Sequence, residues 1–399
     1  MASPDVIVVG LGAMGSAVAH HLAQRGARVL GLDRFHPPHD QGSSHGRTHI
    51  TRLAVGEGAA YVPLVQRSHQ LWQQLQQLPQ GGGEPLYRRT GGLIIASPSA
   101  DAGAFHGQSG FFSRTVALAR QFGIAHEMLD AATVRQRHPQ FLMQDDEQAY
   151  FEPDAGLLAP ERCVAAQLAA AARHGADLRY SERVLALSAS ASGVRVQTEH
   201  ETLHAAQVVL TAGPWIGALA GPLYAQRLAV QRQVLQWFRT PTPALWSAAT
   251  CPVFIWLHGP RLEDAMYGFP MGDGIDGVKI AAEQVALQTD PDAVQRQVSD
   301  DEVRAMHDRH IRGRLAGVDA ASTATATCLY TSTASGHFII GPHPDVPQLT
   351  VVSACSGHGF KHSAALGEAL AQQLLGETPH ISLAPFLPFE PTLQGGLGG

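Results

Sequence analysis

Asp5-Val6-Ile7-Val8-Val9, Gly10-Leu11-Gly12-Ala13-Met14-Gly15 and, further on, Ala27-Arg28-Val29-Leu30-Gly31-Leu32-Asp33 decide the fold of this chain. Four consecutive β-branched residues after Asp5 make a short buried strand. Gly10, Gly12 and Gly15 have GxGxxG spacing: the first for a tight turn, the second for approach of a pyrophosphate to the backbone, the third for close packing of helix on strand. An apolar run from about Ala13 to Arg25 reads as a helix whose first N–H groups face that phosphate, and Gly26 is placed to end it. A second apolar run ends at Asp33, an acceptor for a ribose hydroxyl. The strand before the glycines, the helix after them and the acid at the second strand's end together predict a dinucleotide site. The alternative, a glycine-rich surface turn, would not need Asp33. The motif does not separate NAD from FAD.

The rest of the chain sets the setting for that site. Its 399 residues suffice for about two domains. With 45% hydrophobic and 16% charged residues, the composition is that of a globular protein. No apolar run is long enough to cross a membrane, and Met1-Ala2-Ser3-Pro4 leads straight into the first strand with no signal core, so a cytoplasmic location is expected. The net charge is −6 and basic residues do not cluster, which argues against nucleic acid as a partner. Cys163, Cys251, Cys328 and Cys355 are scattered without a CxxC pair, so neither a disulfide framework nor a zinc site is indicated. His358 and His362 stand one helical turn apart but lack a third ligand, and no metal is expected. The C-terminal Gly-Gly-Leu-Gly-Gly reads as a frayed tail.

Residues 42–49 are rich in hydrogen-bond donors, among them Ser43 and His45, and suit a loop wrapped round a cofactor; plain solvent exposure is the alternative. Tyr61 to Leu78 has helical spacing and stops at Pro79 and Gly81–Gly83. Tyr87–Ala96 reads as one strand entering a second region, and Phe111–Phe122 as a helix. Asp130 is an N-cap, and Pro160 opens an alanine-rich helix that Gly175 closes. Val184–Ser188 and Val194–Thr198 alternate as antiparallel strands covering a nucleotide domain, and Val208–Gly213 returns to a buried strand with a small-residue turn. Leu228–Ala282 is strand-like and aromatic. Asp300–Arg314 is helical, strands are expected at Thr325–Tyr330, His337–Ile340 and Leu349–Ala354, and a helix from about Phe360 to Leu375. Nucleotide-type segments thus occur in three separated pieces, which predicts two interleaved domains.

Several runs carry a resemblance: Gly56-Glu57-Gly58 with Tyr61-Val62-Pro63-Leu64, Tyr267-Gly268-Phe269-Pro270, Cys328-Leu329-Tyr330-Thr331 with His337-Phe338-Ile339-Ile340, and Ser356-Gly357-His358-Gly359-Phe360-Lys361. In this order and spacing the chain resembles the monomeric sarcosine oxidase and N-methyltryptophan oxidase group of FAD-dependent amine oxidases. The resemblance covers nearly the whole chain. It implies an α/β fold in which a Rossmann-like FAD-binding domain (residues 1–85, 150–220 and 322–399) is interleaved with an α+β substrate domain (86–149 and 221–321) built on a large antiparallel or mixed sheet. Gly10, Gly12, Gly15, Asp33, Ser43, His45, Val184, Gly213, Gly357, Gly359 and Lys361 are the expected cofactor contacts.

The resemblance also assigns roles. Cys328 would hold the flavin covalently at its 8α carbon, with Cys355 as runner-up; read locally, Cys328 is a small buried hydrophobe. Arg52 and Lys361 would hold a substrate carboxylate, the alternative for each being a surface charge. Donors of the glycine turn before Lys361 would face the flavin N1–C2=O edge. Lys279, by its local pattern an ordinary strand residue, matches the lysine near flavin N5 that promotes reaction with oxygen. Tyr267 and Tyr330 match aromatics bordering the substrate pocket; core packing is the alternative.

Two departures stand out. The family pattern Thr-Arg-x-x-Arg is here Thr48-His49-Ile50-Thr51-Arg52, with Arg47 nearby as a substitute cation for His49. Where the sarcosine-type enzyme has a histidine four residues after the lysine, this chain has Glu283, which either favours a cationic or polar substrate group or faces solvent. Sarcosine is therefore not carried over as the substrate. The expected reaction is oxidation of a secondary amine, an N-methyl or cyclic amino acid with a carboxylate, by a monomer that passes hydride to flavin N5 and electrons on to O2, giving H2O2. No general base is evident. The alternatives are a flavin amine or D-amino acid dehydrogenase using another acceptor, an NAD-dependent reductase, and a nucleotide-binding protein without catalysis.

Overall fold

The computed structural model describes residues 3–78, 85–191, 193–272 and 274–388. The glycine stop after Leu78 and the C-terminal glycine tail lie outside the described residues.

Val6–Val9 is buried throughout and pairs in parallel with Val29–Leu32 on one side and Gln207–Leu210 on the other. Asp177–Arg179 extends the sheet beyond Val29–Leu32, and Val346–Ser353 beyond Gln207–Leu210, both in parallel; Ile339–His343 closes that edge antiparallel. Such a sheet needs cover on both faces. One face is covered by the helices Ala13–Gln24, Pro160–Arg173 and Ser363–Leu374, which pack together. The approach is close: a Cβ on Gly367 would lie 2.5 Å from the Ala17 Cβ. On the other face an antiparallel sheet of Val184–Ser190, Gly193–Thr198 and Thr202–Ala205 turns Val184, Val194 and Val196 into a common core with Ile7 and Val9.

The second large sheet has eight strands in the order Ser322–Ser332, Ala229–Phe238, Val278–Ala281, Ala265–Gly268, Val253–Leu257, Gly92–Ala96, Gln148–Glu152, Glu127–Asp130. All its pairings are antiparallel except that of Gly92–Ala96 with Val253–Leu257. A small antiparallel sheet of His49–Thr51, Gly156–Leu158 and Tyr87–Arg89 stands between the two large ones in sequence. No helix of the described residues is long and apolar enough to cross a membrane.

Four sequence expectations change in detail. Tyr87–Ala96 is two strands in different sheets, broken at Gly91, whose φ of 73° no strand residue adopts. Asp300–Arg314 is helical only to Met306 and then makes a π-turn, His307–Ile311. The strand expected at His337 begins at Ile339. Ser322–Ser332, expected with the FAD domain, hydrogen-bonds along its length to Ala229–Phe238 in the eight-stranded sheet. At 10 residues, Ala229–Phe238 is nearly as long as this 11-residue strand and can pair with most of it.

Candidate functional site

The glycine loop is built as its spacing requires. Gly10 has φ 89°, and a Cβ there would meet the Thr211 carbonyl at 2.7 Å; a Cβ on Gly15 would lie 1.8 Å from the Gly10 oxygen. Gly12 meets only Ser44 Oγ, at 3.3 Å, so this turn stays open on one side. Ser44 Oγ accepts from Ala13 N at 3.1 Å, which caps the helix. Asp33 accepts from Leu11 N at 2.7 Å and from Phe35 N at 2.8 Å, so the acid that ends the second strand also ties down the glycine loop.

A long cavity starts at this loop. Gly10, Gly12, Asp33, Ser43, Val184, Gly213, Gly357 and Gly359 all line it, as does Cys355. Thr331 Oγ1 and Glu182 Oε1 on its walls are buried and have no partner among the described residues. The glycine cradle and these orphaned polar atoms suit a long dinucleotide with hydroxyl groups.

A second cavity adjoins the first, and His49, Tyr330, Gly357 and Phe360 line both. It gathers Arg52, Lys279, Lys361, Tyr267, Cys328 and His45, which the chain contributes from well-separated segments. Lys279 is 2% exposed; its Nζ donates to the carbonyls of Gly46 at 2.6 Å and Thr48 at 2.8 Å and faces the Phe269 ring at 4.5 Å. Lys361 Nζ donates to the His358 carbonyl at 2.6 Å. Burial, opposed by Glu57 and aided by Arg52, brings its ammonium down to about 7. The Tyr267 and Tyr330 hydroxyls lie 3.3 Å apart.

Similarity to known proteins places the chain in a family. The family model for FAD dependent oxidoreductases matches residues 5–373. The monomeric sarcosine oxidase of Streptomyces avermitilis is 39% identical over 94% of this chain and 95% of its own length. The chain belongs to the FAD-dependent oxidoreductases, among the sarcosine oxidase-like amine oxidoreductases. The N-methyl-L-tryptophan oxidase of Salmonella typhimurium is 31% identical over 96% of this chain and 97% of its own. Among solved structures, NikD, an unusual amino acid oxidase essential for nikkomycin biosynthesis, superposes with a TM-score of 0.81 at 25% identity, covering 97% of this chain and 98% of that one. Glycine oxidase from Geobacillus kaustophilus shares the fold, with a TM-score of 0.74 at 20% identity over 98% and 100% of the two chains.

In this FAD-dependent oxidoreductase several predicted residues stand differently from expectation. Arg52 is not a free cation: its Nη2 reaches both Glu57 oxygens, at 2.8 and 3.0 Å, and its Nη1 donates to the Ala54 carbonyl. Burial opposes ionisation of Glu57, yet Arg52, Lys361 and His106 hold its carboxyl well below the usual range. Arg47 does not replace the arginine missing at His49: it is exposed, has φ 71° and lines neither cavity. His49 stays neutral, because burial and Lys279 push it down to about 3, and it packs on the Phe360 ring. Glu283 does not face solvent; it is 7% exposed on the wall of the second cavity. Cys328 and Lys361 line that cavity rather than the long one, whereas Cys355 lines the long one. Burial, with Cys355 beside it, pushes the Cys328 thiol up to about 12, and Lys279 works against this.

Sequence reading missed His106. It sits in the hairpin Ala104–Ser109 beside Gly107, with no periodic signal to single it out, and its ring bridges Glu57 and Glu283. Glu57 lay in a recognised run but had no role assigned to it.

Proposed function

We propose that the protein oxidises the C–N bond of a secondary amine that carries a carboxylate, an N-methyl or cyclic amino acid, with O2 as final acceptor and H2O2 as product. The observation that carries this reading is the convergence of three buried cations, Arg52, Lys279 and Lys361, on a cavity continuous with the one that suits FAD. Relatives named for sarcosine and for N-methyl-L-tryptophan support the substrate class. Bound FAD supplies the two-electron acceptor.

The chain's own residues do the rest. Arg52 and Lys361 bind the carboxylate, whose charge favours the protonated form of Lys361, and Arg52 shares itself between Glu57 and the substrate. The Tyr267–Tyr330 pair lines the same cavity and excludes water from it. Lys279, clamped by the Gly46 and Thr48 carbonyls, keeps a fixed positive charge where O2 gains electrons. Cys328 is the residue we assign to covalent attachment, with Lys279 favouring its thiolate. The imine product leaves and hydrolyses.

An anaerobic flavin-bleaching screen over N-methyl amino acids, cyclic imino acids and D-amino acids, followed by an oxygen electrode, tests this. Bleaching by a secondary amino acid with rapid oxygen uptake is expected. Bleaching without oxygen uptake would make the protein a dehydrogenase, and no bleaching by any amine would overturn the reading.

A further inference from the structure

A row of four charged side chains lines the second cavity. Arg52 pairs with Glu57, His106 Nδ1 lies 2.9 Å from Glu57 Oε1, and His106 Nε2 contacts Glu283 Oε1. The His106, Glu57 and Glu283 side chains are 9%, 2% and 4% exposed. Two carboxylates on the two ring nitrogens require both nitrogens to donate, so the ring is an imidazolium. Burial opposes this, but Glu283 and Glu57 raise His106 to about 9. The row alternates in sign and ends in a cation at Arg52 and an anion at Glu283, and both ends line the same cavity. The ends therefore present to the cavity one charge of each sign, the signs that a zwitterionic amino acid carries.

Glu283 is also well placed along the cavity. A Cβ on Gly357 would lie 3.0 Å from both Glu283 Oε1 and His106 Nε2 and 2.9 Å from the Tyr330 ring. Gly357 lines both cavities, so the carboxylate stands at their junction. Its other titratable neighbours are Tyr267 and Tyr330 from two strands of the large sheet and Cys355, whose proton affinities its charge raises. His45, His49, His358, Cys328, Lys361 and Lys279 complete the charged and titratable lining of the second cavity.

We propose that Glu283 receives the substrate's ammonium group and accepts its proton, so that the site takes its amine as the zwitterion. This rests on the reading that the substrate is an amino-acid amine. Loss of hydride from carbon needs the lone pair of the adjacent nitrogen, and an ammonium has none. In the step one N–H bond breaks, its electron pair stays on nitrogen, and an O–H bond forms at Glu283; nothing is oxidised or reduced, and the proton later returns to water. In water an ammonium holds its proton far more tightly than a carboxylate does, so the transfer is uphill and is drawn forward because loss of hydride consumes the neutral amine. His106, carried on its hairpin, positions the acid.

Two measurements on the holoenzyme test the proposal. The first compares binding of trimethylglycine, whose quaternary nitrogen carries a fixed positive charge beside its carboxylate, with that of 3,3-dimethylbutyrate, the carboxylate in which a neutral carbon replaces that nitrogen, by flavin absorbance. Wild type is expected to prefer trimethylglycine about tenfold, as for one close charge contact, and Glu283→Gln to lose the preference. The second follows, against pH, anaerobic bleaching by the secondary amino acid that bleaches the flavin fastest in the amine screen. The second-order rate constant should be nearly flat in wild type below the amine pKa, and should rise about tenfold per pH unit in Glu283→Gln, which can use only the neutral amine. Equal binding of the two probes by wild type, or a wild-type rate constant that itself rises tenfold per unit, would overturn the proposal even if the variant fails to hold FAD. The binding comparison stands even if no amine bleaches the flavin, so failure of the proposed reaction and failure of the Glu283 role are separable.

Discussion

Arg52→Met removes a cation that the fold has committed to one carboxylate. Arg52 is 4% exposed, its Nη2 holds both oxygens of Glu57, and its Nη1 satisfies the Ala54 carbonyl. Breaking a buried ion pair on one side costs about 3–5 kcal/mol because the remaining charge is left without compensation. Here His106 still lies 2.9 Å from Glu57, which puts the loss at the low end, about 3 kcal/mol. The orphaned Ala54 carbonyl adds about 1 kcal/mol. For a chain this long the unfolding entropy is about 0.8 kcal/mol/K, so a loss of about 4 kcal/mol lowers Tm by about 5 °C. Arg52→Met combined with Glu57→Gln removes both charges and should recover most of that loss, to within about 1.5 kcal/mol of wild type. Carboxylate affinity should not recover, since the cation is still absent. Glu57→Gln alone should tighten binding of 3,3-dimethylbutyrate, because Arg52 is then freed for the ligand. Calorimetric melting of the holoenzymes and a flavin-absorbance titration read both effects. An Arg52→Met protein melting within 1 °C of wild type, or a double variant melting no higher than the single one, would refute the argument.

Gly15→Ala puts a Cβ 1.8 Å from the Gly10 oxygen and 2.6 Å from Thr211 Oγ1, so the helix must lift off the strand. We expect about 1–3 kcal/mol of destabilisation and an FAD content well below one per chain; a full complement of FAD would contradict the assigned cradle. Lys279→Met should slow reoxidation of the reduced flavin by about 10²-fold while slowing its reduction far less, measured as separate half-reactions; equal slowing would remove the assignment. Acid precipitation of wild type should leave the yellow colour in the pellet, with a flavin mass on the peptide containing Cys328, and Cys328→Ser should release it. Colour in the wild-type supernatant would end the covalent assignment, and a yellow pellet from the variant would move it to Cys355.

The sequence by itself determined what depends on short-range pattern. The β-branched run at Val6–Val9, the three glycines and Asp33 specify a strand, a turn and a helix in one continuous segment, and the structure reproduces each. The Ser356–Lys361 turn and the Cys328 run likewise carry their signal locally, enough to indicate FAD rather than NAD. Tertiary structure decided the ionic state of the second cavity. Whether Arg52 is free or paired, whether His49 is charged, whether Glu283 faces water and what His106 touches all depend on burial and on partners far away in the chain. Glu57 and His106 are 49 positions apart, and Lys279 and Gly46 are 233. No periodicity encodes such meetings. A charge in a cavity is set by the medium and the opposing charges around it, and those exist only once the eight-stranded sheet and the glycine turns have closed on one another.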